Sequence, residues 1–138
     1  MKNIFTSVDI GSDTVKIVTC ELFNNRLNLL AASSVKSKGI KTYILSNAPL
    51  DIPIYLKEAN LEKYFDGKII SAEELIVKPN HKIYELILER YSLNASESIF
   101  IDDRKENIEA AIECGLDGII YDYKKHEEFL NIIKNKLF

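Results

Sequence analysis

From residue 41 onward, short apolar runs alternate with helix-period stretches, and this alternation restricts the fold more than any other feature of the chain. Residues 42–45, 68–71, 98–102 and 118–121 read as short buried strands. Residues 50–59, 79–91, 105–114 and 125–138 read as helices. Pro79 suits a first helical turn, Ile83, Leu86 and Ile87 fall on one face, and Gly115 is placed to stop the third helix. Strands separated by helices imply right-handed βαβ units and a parallel sheet.

The first forty residues carry a different period. Residues 4–10, 15–23 and 27–35 read as three strands, with turn chemistry at Gly11-Ser12-Asp13 and at Asn24-Asn25. The expectation is an N-terminal antiparallel β-meander, residues 1–40, followed by a three-layer Rossmann-like α/β segment, residues 41–138.

The net charge of -3 gives no basic face for nucleic acid. Cys20 and Cys114 form no CxxC pair, and His81 and His126 are the only imidazoles, which argues against zinc. No apolar run has the length of a membrane span, and Met1 to Ser7 does not read as a secretory leader. The expected setting is cytoplasmic.

Three loops carry related chemistry. Ser46-Asn47 follows the strand at 42–45, Lys78 precedes the helix at 79–91, and Asp102-Asp103 end the strand at 98–102. In open α/β sheets, ligands bind beyond the carboxyl ends of the strands. A hydroxyl and an ammonium bind phosphoryl oxygens, and carboxylates hold a hard divalent cation. Singly, each group has a plainer role: Ser46-Asn47 as a turn and helix cap, Lys78 as a solvated lysine, Asp102-Asp103 as a cap on the positive end of the next helix.

Taken together, Tyr43-Ile44-Leu45-Ser46-Asn47, Lys78-Pro79-Asn80-His81-Lys82-Ile83-Tyr84 and Phe100-Ile101-Asp102-Asp103-Arg104-Lys105-Glu106-Asn107 resemble the second, third and fourth motifs of haloacid-dehalogenase-like (HAD) phosphohydrolases, in order and spacing. The resemblance implies magnesium-dependent hydrolysis of a small phosphorylated metabolite through an aspartyl-phosphate. It implies that Ser46, Asn47 and Lys78 meet the phosphoryl group, that Asp103 holds Mg2+ with Asp102 in support, and that Asn107 orients the acidic loop.

The family's first motif is D-x-D, a nucleophile followed by an acid/base carboxylate. Here Asp9 ends an apolar run and Gly11 stands where the second carboxylate belongs. The segment Ser7-Val8-Asp9-Ile10-Gly11-Ser12-Asp13-Thr14-Val15-Lys16 instead resembles the first phosphate loop of actin-like ATPases. The likeness extends over about forty residues to the N-terminus of cell-division protein FtsA. By this reading the chain is chimeric, and residues 1–40 offer a surface for a division-protein partner. In the HAD fold that the resemblance implies, the nucleophile strand lies between the strands ending at Ser46 and Asp102, and an unfilled slot there would strand backbone polar groups. The strand at 4–10 is therefore expected to fill that slot in parallel, bringing Asp9 to the catalytic edge. The alternative is a separate small meander sheet.

Overall fold

The computed structural model describes residues 41–58, 60 and 62–137, and within the first forty residues it describes backbone strands at 3–5, 7–11, 14–15, 19–23 and 26–27. In order, the N-terminal strands are β1 (Asn3–Phe5), β2 (Ser7–Gly11), β3 (Thr14–Val15), β4 (Thr19–Phe23) and β5 (Arg26–Leu27). They are followed by β6 (Tyr43–Ser46), α1 (Ile52–Glu58), β7 (Gly67–Ile70), the single turn α2 (Ser71–Glu74) and α3 (His81–Arg90). The last elements are β8 (Ser98–Asp102), α4 (Lys105–Glu113), β9 (Asp117–Ile120) and α5 (His126–Leu137).

Apart from the single turn α2, the C-terminal elements are those read from the alternation, displaced by a residue or two at their ends. β6 pairs in parallel with β7, and β8 pairs in parallel with β9. All of β6 and β8 is buried, as expected of apolar strands covered on both faces. The core between sheet and helices contains Tyr43, Leu45, Ile69, Ile83, Ile87 and Phe100. Each such side chain contributes roughly 1.5–3 kcal/mol on burial.

Two local expectations change. Pro79 does not open α3: the Lys78–Pro79 peptide is cis and Asn80 is the cap, its side chain accepting from Lys82 N–H at 3.0 Å. On α3 the fully buried residues are Ile83, Tyr84 and Ile87, with Leu86 only partly buried. Gly115 does end α4. Its φ is 90°, its N–H donates to Ile112 O, and Leu116 N–H donates to Ala111 O. This pairing is a Schellman stop, which needs a left-handed residue at Gly115.

The N-terminal segment departs from the expected three-stranded meander. The run at 4–10 divides into β1 and β2, which take different partners. β1 pairs antiparallel with β4, which pairs antiparallel with β5 through Phe23↔Arg26. β2 pairs antiparallel with β3 through Ile10↔Val15. The turn residues Ser12-Asp13 and Asn24-Asn25, and the expected strand beyond Leu27, lie outside the described residues.

β2 also pairs with β8, and β1 and β2 both lie beside β6. Among the described residues the first segment forms a ladder with β8 but not with β6, which pairs with β7, and β2 runs antiparallel to β8, with Ser7↔Phe100, Val8↔Ile99 and Asp9↔Ser98. This corrects the expected parallel insertion. The open edge of β8 needs hydrogen-bond partners, and an antiparallel ladder supplies them as well as a parallel one, so desolvation does not set the direction of the strand that pairs with it.

Candidate functional site

The site forms where β6 and β8 end. Lys78 leaves the loop before α3 and its stem is buried, with the side chain 4% exposed. Its Nζ donates to Asp102 Oδ2 at 2.6 Å and to Leu45 O at 3.0 Å. One ammonium thus joins the carboxyl ends of β6 and β8. The nitrogen also lies 5.2 Å from the centre of the Phe100 ring, within cation–π reach. Burial pushes the Lys78 ammonium below the ordinary lysine range, while the adjacent Asp102 carboxylate, with a contribution from Asp103, pulls it back.

Asp102 is 1% exposed and each of its oxygens has a donor. Oδ1 accepts from Arg104 N–H at 2.9 Å, which turns the chain into α4. Oδ2 accepts from Lys78 and from Asn107 Nδ2, the latter at 3.1 Å. A buried carboxylate is tolerable only when paired and hydrogen-bonded in this way. Asn107 is buried in the first turn of α4, and its main-chain oxygen accepts from Tyr84 Oη at 2.8 Å. Tyr84 stacks edge-on against Phe100, with ring centres 5.3 Å apart. Burial, and secondarily the negative charge of Asp102, pushes its hydroxyl above the ordinary tyrosine range.

Ser46 ends β6 and is 4% exposed. Its hydroxyl makes no hydrogen bond among the described residues. Asn47 is exposed and turns to Lys78: Oδ1 accepts from Lys78 N–H at 2.8 Å and Nδ2 donates to Lys78 O at 3.0 Å. Ser71, at the end of β7, accepts from Ala48 N–H at 2.9 Å and ties the same loop down. Asp103 is exposed in the turn after β8.

The structure therefore brings Lys78, Asp102 and Asn107 into contact, places Ser46 one residue beyond Leu45, and sets Asp103 beside Asp102. It does not bring Asp9 to them. The antiparallel register sets Asp9 opposite Ser98, at the amino end of β8. Four residue steps along the strand separate Ser98 from Asp102, about 13 Å. Tyr84 and Ser71 were not among the expected site residues. Their contribution runs through hydroxyl bonds to main-chain atoms of distant segments, which leave no local pattern.

Asp102 and Asp103 offer hard oxygen donors to a magnesium ion, which takes one or two carboxylates and completes its shell with water and phosphate oxygens. Among the described residues there is no group of three His, Cys, Asp or Glu side chains that could hold a metal. The residues present fit a magnesium ion held on one side only.

The chain is similar to a sesquiterpene phosphatase, astK, of Aspergillus oryzae, with 36% identity over 86 residues, 62% of this chain and 44% of that protein. It is 30% identical over 125 residues to a phosphorylated carbohydrates phosphatase of Thermotoga maritima, covering 78% of this chain and 58% of the relative. It thus spans roughly half the length of these two relatives. A HAD family enzyme from Bacteroides thetaiotaomicron, crystallised with magnesium and inorganic phosphate, shares the fold at a TM-score of 0.63 and 23% identity, over 75% of this chain and 60% of that one. The N-terminal segment is separately similar to cell division protein FtsA of Streptococcus pneumoniae, 41% identical over 44 residues, 32% of this chain and 10% of FtsA. The family model of haloacid dehalogenase-like hydrolases matches residues 19–115, beginning inside the segment set apart at 1–40. That match takes in most of the chain, and the chain belongs to the haloacid dehalogenase-like hydrolase family.

Proposed function

We propose that this chain is a HAD-type phosphohydrolase module that binds the phosphoryl group of a small phosphorylated metabolite and hydrolyses it weakly. The observation that carries this reading is the Lys78 ammonium, buried and held at once by Asp102 Oδ2 and Leu45 O. A fixed positive charge at the carboxyl edge of a sheet stabilises an anion without reorganising. The phosphatase names of the Aspergillus oryzae and Thermotoga maritima relatives support the substrate class.

In this reading, Ser46 donates its hydroxyl to a phosphoryl oxygen and Lys78 neutralises the charge on the group. Asn107 and the Arg104 N–H keep Asp102 oriented. Magnesium would be held by Asp102 and Asp103, with Asn107 in support, and would supply further charge neutralisation to the phosphoryl oxygens. The magnesium and phosphate in the Bacteroides thetaiotaomicron neighbour support that assignment.

Hydrolysis is impaired for two reasons. Gly11 provides no acid/base carboxylate, and such help is worth about 10²–10⁴-fold. Asp9 sits across from Ser98, away from Lys78. The antiparallel β2 therefore favours a second reading, a phosphate-binding remnant without turnover. Isothermal titration with inorganic phosphate, beside a magnesium-dependent assay with p-nitrophenyl phosphate, separates the two. Binding with slow turnover supports the module; binding alone supports the remnant; neither sinks both.

A further reading concerns residues 1–40. The FtsA likeness supports treating them as a separate segment of chimeric origin that meets a division protein in the cytoplasm, with residues 41–138 as the HAD-like unit. Co-sedimentation with purified division proteins tests it, and failure of a 41–138 truncation to lose that binding contradicts it.

A further inference from the structure

Asn47 follows the serine that ends β6, and its carboxamide is spent on one residue. Oδ1 accepts from the N–H of Lys78 and Nδ2 donates to the C=O of Lys78, at 2.8 and 3.0 Å. Two residues earlier, Leu45 O accepts from Lys78 Nζ at 3.0 Å. Residues 45 and 47 thus grip Lys78 at three points: main-chain donor, main-chain acceptor and ammonium. We infer that Asn47 is a positioning residue for Lys78 and not a ligand to the phosphoryl group. The importance of Lys78 rests on the phosphohydrolase reading above; the way it is held rests on geometry alone.

The chemistry suits the task. A carboxamide offers an acceptor and a donor side by side on a short stem, matching the N–H and C=O of a single residue. Lysine carries a long flexible stem whose freedom is lost on fixing the ammonium. Anchoring its main chain beside the end of β6 means that only the stem remains to be ordered. Burial works against a charged ammonium, so a lysine whose main chain is released moves toward water. Asn47 is exposed, whereas Lys78 is buried. Truncating Asn47 therefore opens no core cavity, and its effect on Lys78 is separable from an effect on the fold.

The test uses the full chain, inorganic phosphate as the probe, and N47A, K78M and the double variant. Thermal unfolding reports stability, and the side-chain methylene resonances of Lys78 report its position. N47A is expected to weaken phosphate binding roughly tenfold, the scale of one or two lost hydrogen bonds, with little change in thermal midpoint. Its Lys78 resonances should move toward solvent-exposed values. N47S, which keeps a polar but shorter side chain, should behave like N47A. In the K78M background, N47A should cause no further loss. An equal loss in that background would mean that Asn47 touches the anion itself, and would overturn the inference. So would Lys78 resonances unchanged by N47A. If the wild-type chain binds no phosphate, the phosphohydrolase reading fails, and the Lys78 resonances still decide the role of Asn47.

Discussion

Lys78 Nζ lies 2.6 Å from Asp102 Oδ2, and the two side chains are only 4% and 1% exposed. Removing one partner of a buried pair leaves an uncompensated charge, at a cost of about 3–5 kcal/mol. D102N keeps the shape of the site and should lose that much stability in urea unfolding. The double variant K78M/D102L, which removes both charges, should recover most of it. Equal loss in the single and double variants would mean that shape, not charge, holds the junction.

The pH dependence follows from Lys78. Burial holds its ammonium below the ordinary value of 10.5, Asp102 pulling it back only in part. The unfolded chain therefore binds this proton more tightly than the folded one, and stability rises with pH wherever that is so. The contribution is fully present above 10.5 and is lost as pH falls through the lower, folded value. Urea midpoints should rise more steeply for wild type than for K78M between the folded value and 10.5. Parallel profiles would contradict the assignment.

Tyr84 reaches the acidic loop indirectly, through the main-chain oxygen of Asn107 at 2.8 Å. Y84F removes one hydroxyl and no ring. It should cost about 1 kcal/mol, the usual net worth of one hydrogen bond, and distinctly less than D102N. A neutral Y84F would show that α4 is placed by packing alone.

Gly67 opens β7 under the ring of Tyr91, and a Cβ there would overlap the ring carbons. The ring is not free to yield, because its hydroxyl accepts from Lys68 N–H at 2.8 Å and donates to Lys68 O at 2.9 Å. G67A should destabilise by about 1–3 kcal/mol, the range for overpacking, and Y91A should relieve the clash. A fully stable G67A would show that the edge of β7 tolerates displacement.

Much of this architecture was legible in the residues. Ser98 to Asp102 reads as a buried strand because apolar side chains on both faces leave no polar alternation, and the carboxyl ends of such strands are where ligands gather. Lys78, Asp102 and Asn107 meet for that reason. The direction of β2 was not legible, since unpaired backbone groups call for a partner strand of either sense. Nor was the closing of the Asn47 carboxamide on the main chain of Lys78. That bond spans 31 positions and that of Tyr84 to Asn107 spans 23, and neither has a local signature.

A HAD site that keeps its phosphate-binding side without an effective nucleophile should turn over slowly, and steady-state hydrolysis of p-nitrophenyl phosphate with magnesium, measured on wild type and D9N side by side, decides whether this one does. Asp9 pairs across from Ser98, about 13 Å of strand from Asp102. Turnover should therefore be weak or absent in wild type and unchanged in D9N. Turnover at the level of an ordinary HAD phosphatase, abolished by D9N, would contradict the account and place Asp9 at the phosphorus.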